Sequence, residues 1–180
     1  MKKGAMELSI GTIVIIVLAM SMLILGMVLV KTIFSGAQNV VEMNNNQLAK
    51  EMASIYGRDL AVALYPNVDI YKLKPGEAGA FAVRVTNLLS GDTSDGKFSY
   101  ETTVDNFEKC NFGEREIYDW MSGESGTIGT IAPAGEVIEK VLLDFPEGVS
   151  LCKFRVRVIV NYEGKPIKDG QAQMYIELKG

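Results

Sequence analysis

The hydrophobic pattern of the chain is dominated by one run, Leu8 to Val30, which contains no charged residue over twenty-three positions. As an α-helix with a rise of about 1.5 Å per residue, this run would extend about 35 Å, more than the roughly 30 Å hydrocarbon core of a bilayer. Lys2 and Lys3 precede the run, and Lys31 follows it. The pattern therefore predicts a transmembrane helix within residues 1–35.

Hydrophobic residues continue at helical spacing after this run. Offsets of four, seven, four and three residues place five of them on one stripe: Ala37, Val41, Leu48, Met52 and Ile55. They predict an amphipathic segment from Thr32 to Leu64, in which Gly57 either ends the helix or bends it, and Pro66 closes it, so that residues 36–65 form a second segment. Two interpretations fit this segment: the outer half of one long first helix packed on the domain that follows, or a stalk. Asn44-Asn45-Asn46 has poor helix propensity within it.

Alternating hydrophobic and polar residues follow from position 66 onward, separated by turn signals such as Lys74-Pro75-Gly76-Glu77. The clearest predicted strands are Val68–Leu73, Ala80–Leu88, Phe98–Val104, Val137–Phe145, Leu151–Tyr162 and Gln171–Leu178, and weaker ones are Glu116–Met121 and Thr127–Ile131. Short strands without a long helix between them predict an antiparallel β-sandwich of immunoglobulin-like type for residues 66–180, with Trp120 in its core. The predicted fold class is α+β.

Composition narrows the chemistry that this domain can support. The chain carries 18 Lys and Arg against 22 Asp and Glu, and beyond position 35 the balance is 15 against 21. Such an acidic domain does not suit nucleic acid as a partner. The absence of histidine removes the commonest general base and the commonest metal ligand. Because P-loop, GxGxxG and HExxH motifs are also missing, we expect no enzyme and no cofactor or metal site.

The two cysteines, Cys110 and Cys152, lack the CxxC spacing of a metal site. For a domain outside the cell, a disulfide between them is the leading prediction, and two buried free thiols are the alternative. A bond that closes a loop of about 43 residues would stabilise the fold by roughly 4 kcal/mol in the chain-entropy model.

Two polar features raise binding hypotheses. A basic stripe is predicted from Lys153, Arg155 and Arg157 on one strand face, with Arg84 near them. We interpret it as a solvated face paired with acids such as Glu101 or Glu177, rather than as a site for an anionic polymer. Asp92, Ser94 and Asp95 offer oxygens to Ca²⁺, but the spacing and final glutamate of a calcium loop are missing. We therefore expect a surface hairpin loop there.

The residues just before the long apolar run carry a family resemblance. Lys2-Lys3-Gly4-Ala5 stands immediately before the run, and Ile10-Gly11-Thr12-Ile13-Val14 opens it with Gly-Thr followed by aliphatic residues. This order resembles the class III signal of archaeal type IV pilin-like proteins, including archaellins. The resemblance implies that a prepilin-type peptidase cuts after Gly4, leaves Ala5 as the new amino terminus and keeps the helix on the mature subunit.

The position of Glu7 departs from that family. Type IV pilins commonly carry a glutamate at the fifth mature position, whereas here Glu7 would be third and Ser9 fifth. The resemblance makes Glu7 a candidate assembly residue that neutralises a neighbouring subunit's terminal amine. The alternative interpretation is a helix N-terminal residue favoured by the macrodipole at the level of the lipid headgroups.

Together these observations predict a membrane-inserted surface structural protein, a pilin-like or archaellin-like filament subunit that self-assembles through its N-terminal helix. Because Lys2 and Lys3 outweigh Lys31, the N-terminus is expected in the cytoplasm and the C-terminal domain outside the cell, in one pass through the bilayer. After processing, the subunit would enter an extracellular filament. The alternative is a single-pass anchored immunoglobulin-like ectodomain that serves binding or adhesion and forms no filament.

Overall fold

The computed structural model describes residues 10–57, 59–89 and 96–180, with the side chains of residues 11–27 and of those from 43 onward in these ranges. The predicted processing and assembly residues Gly4, Ala5 and Glu7 lie outside the described residues, as do the loop residues Asp92, Ser94 and Asp95. The chain divides into two compact units, Met1–Gly36 and Ala37–Gly180.

Helix α1 extends from Ile10 to Glu42. Its described side chains, from Gly11 to Met27, are all exposed, and most of them are large and aliphatic. Among the residues that the structure describes, no helix has both the length and the hydropathy needed to cross a membrane.

Helix α2 spans Asn45–Tyr56 and begins with a reciprocal cap. The Asn44 side chain accepts a hydrogen bond from the Gln47 amide at 2.9 Å, and the Gln47 side chain accepts one from the Asn44 amide at 3.2 Å. Gly57, with φ of +62°, follows the last residue of the helix. Of the two predicted roles of Gly57, the end of the helix is therefore confirmed, and the alternative of a bent helix that continues to Leu64 was wrong.

Nine strands follow in the described part of the chain: β1 Val62–Tyr65, β2 Ile70–Leu73, β3 Gly79–Thr86, β4 Lys97–Asp105, β5 Met121–Ser122, β6 Ser125–Thr130, β7 Glu136–Leu143, β8 Lys153–Tyr162 and β9 Lys165–Leu178. They form a four-stranded sheet in the order β1-β3-β7-β5, here called sheet A, and a five-stranded sheet in the order β2-β9-β8-β4-β6, here called sheet B. The prediction of a two-sheet β-sandwich is confirmed, while its immunoglobulin-like type stays a prediction.

The inner faces of the two sheets build the main core by strand alternation. In β8, Phe154, Val156, Val158 and Val160 are fully buried, as the alternating sequence predicts, and the residues between them lie on the outer face. Trp120 packs at the edge of this core, with its ring centroid 5.1 Å from that of Phe112. Trp120 is half-buried and belongs to an aromatic cluster.

Two local predictions were wrong. Strand β2 pairs with β9 in parallel, so the sandwich is not wholly antiparallel. The segment predicted as a strand over Glu116–Met121 instead forms helix α3, Glu114–Asp119. Glu116 accepts a hydrogen bond from the Gly113 amide at 2.7 Å, which caps the first turn, and Ile117 buries the inward face.

Candidate functional site: the contact between α2 and sheet A

The outer face of sheet A carries small side chains where α2 lies on it. Ala63 of β1 and Ala80 and Ala82 of β3 form this surface together with Ile138 of β7, and all four are buried. Leu48 and Met52 of α2 pack into it and are fully buried. Removing side chains of this size from water contributes about 1.5–3 kcal/mol each. Helix α2 is therefore docked on the sandwich as a third layer.

A lysine of sheet A contacts the chain just before α2. Lys140 of β7 pairs in register with Ala82, and its ammonium group donates a hydrogen bond to the Met43 carbonyl. Because α1 ends at Glu42, this cation lies where the negative end of a helix dipole and its unpaired carbonyls favour it. The contact joins the end of α1 to the sheet.

Tyr56, the last residue of α2, contacts sheet A at the other end of the helix. Its hydroxyl donates a hydrogen bond to the Leu64 carbonyl of β1, and its ring centroid lies 5.9 Å from the Arg84 guanidinium carbon. Burial raises the pKa of the Tyr56 hydroxyl above its usual value, and the Arg84 charge offsets part of that rise. The tyrosine thus connects the helix, the edge strand and a buried cation.

Arg84 lies beneath this end of the helix and is fully buried. Among the described residues, its charge partner is Glu136, with 3.8 Å between Nη1 and Oε2, and none of its three guanidinium nitrogens has a hydrogen-bond partner. The prediction that Arg84 lies near the basic stripe was wrong. Strand alternation puts Arg84 on the same face as Ala80 and Ala82, which α2 covers, whereas the stripe belongs to sheet B.

The basic stripe itself forms an ion-pair network on the outer face of sheet B. Asp105 accepts hydrogen bonds from Arg155 Nε at 2.5 Å, from Arg155 Nη2 at 2.8 Å and from Arg157 Nη2 at 3.0 Å. The predicted acid partners, Glu101 and Glu177, were the wrong ones, because Asp105 stands directly opposite Arg155 in the β4–β8 register. The hydrogen bond from Arg155 lowers the pKa of Asp105 most, and burial partly opposes it.

The two cysteines are joined. A disulfide connects Cys110 and Cys152, whose Cα atoms are 5.4 Å apart. It ties the segment that leads into α3 to the residue immediately before β8. In the described residues, no group of three or more Cys, Asp or Glu side chains is arranged to hold a metal ion.

Comparison with known proteins gives only distant likenesses. No protein-family model and no curated protein matches the sequence. The structure is similar to the CARDB domain of a Pyrococcus furiosus protein in complex with di-metal ions, with a TM-score of 0.42 and 13% identity over 67% of this chain and 88% of that one. It is also similar to a family 123 glycoside hydrolase from Clostridium perfringens, with a TM-score of 0.42 and 7% identity over 64% of this chain and 24% of that one. A human ASH/PapD-like domain matches with a TM-score of 0.35 and 13% identity, over 68% and 86% of the two chains.

The buried pair gives a first prediction. Glu136→Gln should lower the free energy of unfolding by on the order of 3 kcal/mol, because it leaves the buried Arg84 charge without its counter-charge. Arg84→Met should be neutral or stabilising, since the half-buried Glu136 still reaches solvent. Urea unfolding of the full chain measures both. A neutral Glu136→Gln together with a strongly destabilising Arg84→Met would contradict this account.

The network on sheet B gives a second prediction. Because the pKa of Asp105 is lowered on folding, its ion pairs stabilise the protein above the unfolded-state value of about 3.9, and this contribution is lost as the pH falls through the lower folded-state value. The stability difference between wild type and Asp105→Asn should therefore be constant around neutral pH and shrink below about pH 4. Glu101→Gln, on the same strand, is the control. A difference that does not change with pH would refute the assignment.

Proposed function

We propose that this protein is a pilin-like or archaellin-like filament subunit, inserted in the membrane before it assembles. The observation that most supports the proposal is the docking of α2 on sheet A through Leu48 and Met52. A free stalk would leave these side chains in water. A segment packed on the domain instead suits a filament subunit, because the helix then fixes the position of the β-sandwich and transmits force to it.

The surface of α1 supports insertion in an apolar environment. Its described side chains are exposed on every side of the helix, including Ile15, Leu25 and Met22 at 68%, 68% and 78%. A soluble monomer rarely exposes so large an apolar surface. In the proposal, lipid covers the run from Leu8 to Val30 before assembly, and the helices of other subunits cover it afterwards.

The disulfide and the charge of the N-terminus support the proposed location. Disulfides persist in oxidising compartments, so the Cys110–Cys152 bond suits a domain outside the cell. Lys2 and Lys3 before the run suit a cytoplasmic N-terminus. Cleavage after Gly4 by a prepilin-type peptidase would leave Ala5 at the start of the mature helix.

A second candidate function is a permanently anchored immunoglobulin-like ectodomain for binding or adhesion. Two observations favour it. Glu7 is third rather than fifth after the proposed cut. The helical segment is also interrupted between Glu42 and Asn45, whereas the pilin interpretation expects one long first helix.

The N-terminus of the mature protein distinguishes the two candidates. We expect the full chain, produced with a prepilin-type peptidase, to begin at Ala5 by intact mass, and electron microscopy to show filaments. Gly4→Val should retain Met1 and abolish the filaments. Gly113→Ala is the control for a glycine substitution outside the apolar run, because a Cβ at Gly113 has only Glu116 Oε2, at 3.9 Å, within 4 Å. An intact Met1-Lys2-Lys3 terminus on the wild-type protein, with no filaments, would overturn the proposal in favour of the anchored ectodomain.

A further inference from the structure

The break between α1 and α2 disagrees with the hydrophobic pattern that crosses it. The stripe residues are Ala37, Val41, Leu48, Met52 and Ile55. At 3.6 residues per turn, an unbroken helix would hold all five within an arc of about 60°. The sequence is therefore patterned in phase for one continuous helix, and yet α1 ends at Glu42 and α2 starts at Asn45.

Two polar contacts favour the break. Asn44 has an extended backbone, with φ of −77° and ψ of 161°, and its side chain and that of Gln47 form the reciprocal cap. Lys140 donates to the carbonyl of Met43, an acceptor that a continuing helix would use for the amide of Gln47. The Asn44 cap forms only when the helix is interrupted at this point. The Lys140 contact is weakened when the helix continues, because the Met43 carbonyl is then shared with the Gln47 amide.

We propose that Met43–Asn44 is a two-state joint. In this structure the helix is broken at the joint, and in the other state one continuous helix extends from Ile10 to Tyr56. In the continuous state, the amides of Asn44, Asn45 and Asn46 donate to the carbonyls four residues before them. In the broken state, Asn45 and Asn46 are the first two residues of α2, whose amides have no acceptor within that helix. A partner that packs on α1 and binds the continuous helix more tightly than the broken one would raise the population of the continuous state. The joint does not depend on whether the chain forms filaments.

Amide hydrogen exchange of the full chain in detergent micelles tests the joint. The variant is Asn44→Ala with Lys140→Met, which removes both contacts and keeps the lysine's aliphatic stem. We expect the amides of Asn45 and Asn46 to exchange at least roughly tenfold more slowly than in wild type. The matched control is Asn46→Ala with Lys72→Met, which makes the same two changes at an in-helix asparagine and an exposed lysine. In the control we expect the Asn45 amide to be unchanged.

The outcomes separate clearly. Unchanged exchange at Asn45 and Asn46 in the variant, with the amides of β8 still protected, would overturn the proposal. Slowing of the Asn45 amide to the same extent in the control would also overturn it, because helix propensity alone would then explain the effect. If the double variant loses protection in β8, Asn44→Ala alone carries the test under the same criteria, since it leaves Lys140 in place.

Discussion

The packing of Leu48 and Met52 of α2 on the outer face of sheet A is the contact on which the placement of α2 and the burial of Arg84 depend. Because protein interiors are close-packed, the small side chains of Ala80 and Ala82 leave room for Leu48 and Met52 on the outer face of sheet A. The same approach brings α2 over the buried Arg84. The helix therefore covers the Arg84 guanidinium, which the sheet alone would leave exposed to solvent.

An exposed aliphatic helix such as Gly11–Met27 is costly in water, and lipid or other helices relieve that cost. Along the chain, Met43 and Asn44 connect the end of α1 to α2, which is packed on sheet A. The joint is held by local capping and by one lysine, which are interactions of modest strength. Such a joint would fit the proposed filament subunit, whose helix would be covered first by lipid and then by other helices.

The sequence allowed prediction of those elements in which one face is buried and the other is solvated. Strand β8 is the clearest case, since its alternation follows from a single core. Strand β1 was missed because Val62–Tyr65 is covered by the core on one face and by α2 on the other, so it shows no alternation and follows the helical stripe instead. Arg84 was misplaced for the same reason, since nothing local indicates that a helix covers its face. The spacing of Ala80 and Ala82 is the one signal that could have indicated it, and the contact of Lys140 with Met43 leaves no trace in the sequence.

Thiol accessibility tests the docking of α2 most directly, because the native cysteines are already joined and do not react. Leu48→Cys places a thiol on the buried face of α2, and Ser54→Cys places one on its exposed face. In the folded full chain, we predict that the thiol at position 48 reacts with a maleimide on the order of 100-fold more slowly than the thiol at position 54, because it reacts only when the helix opens. Similar rates at the two positions, in variants that retain the unfolding transition of the sandwich, would contradict the account.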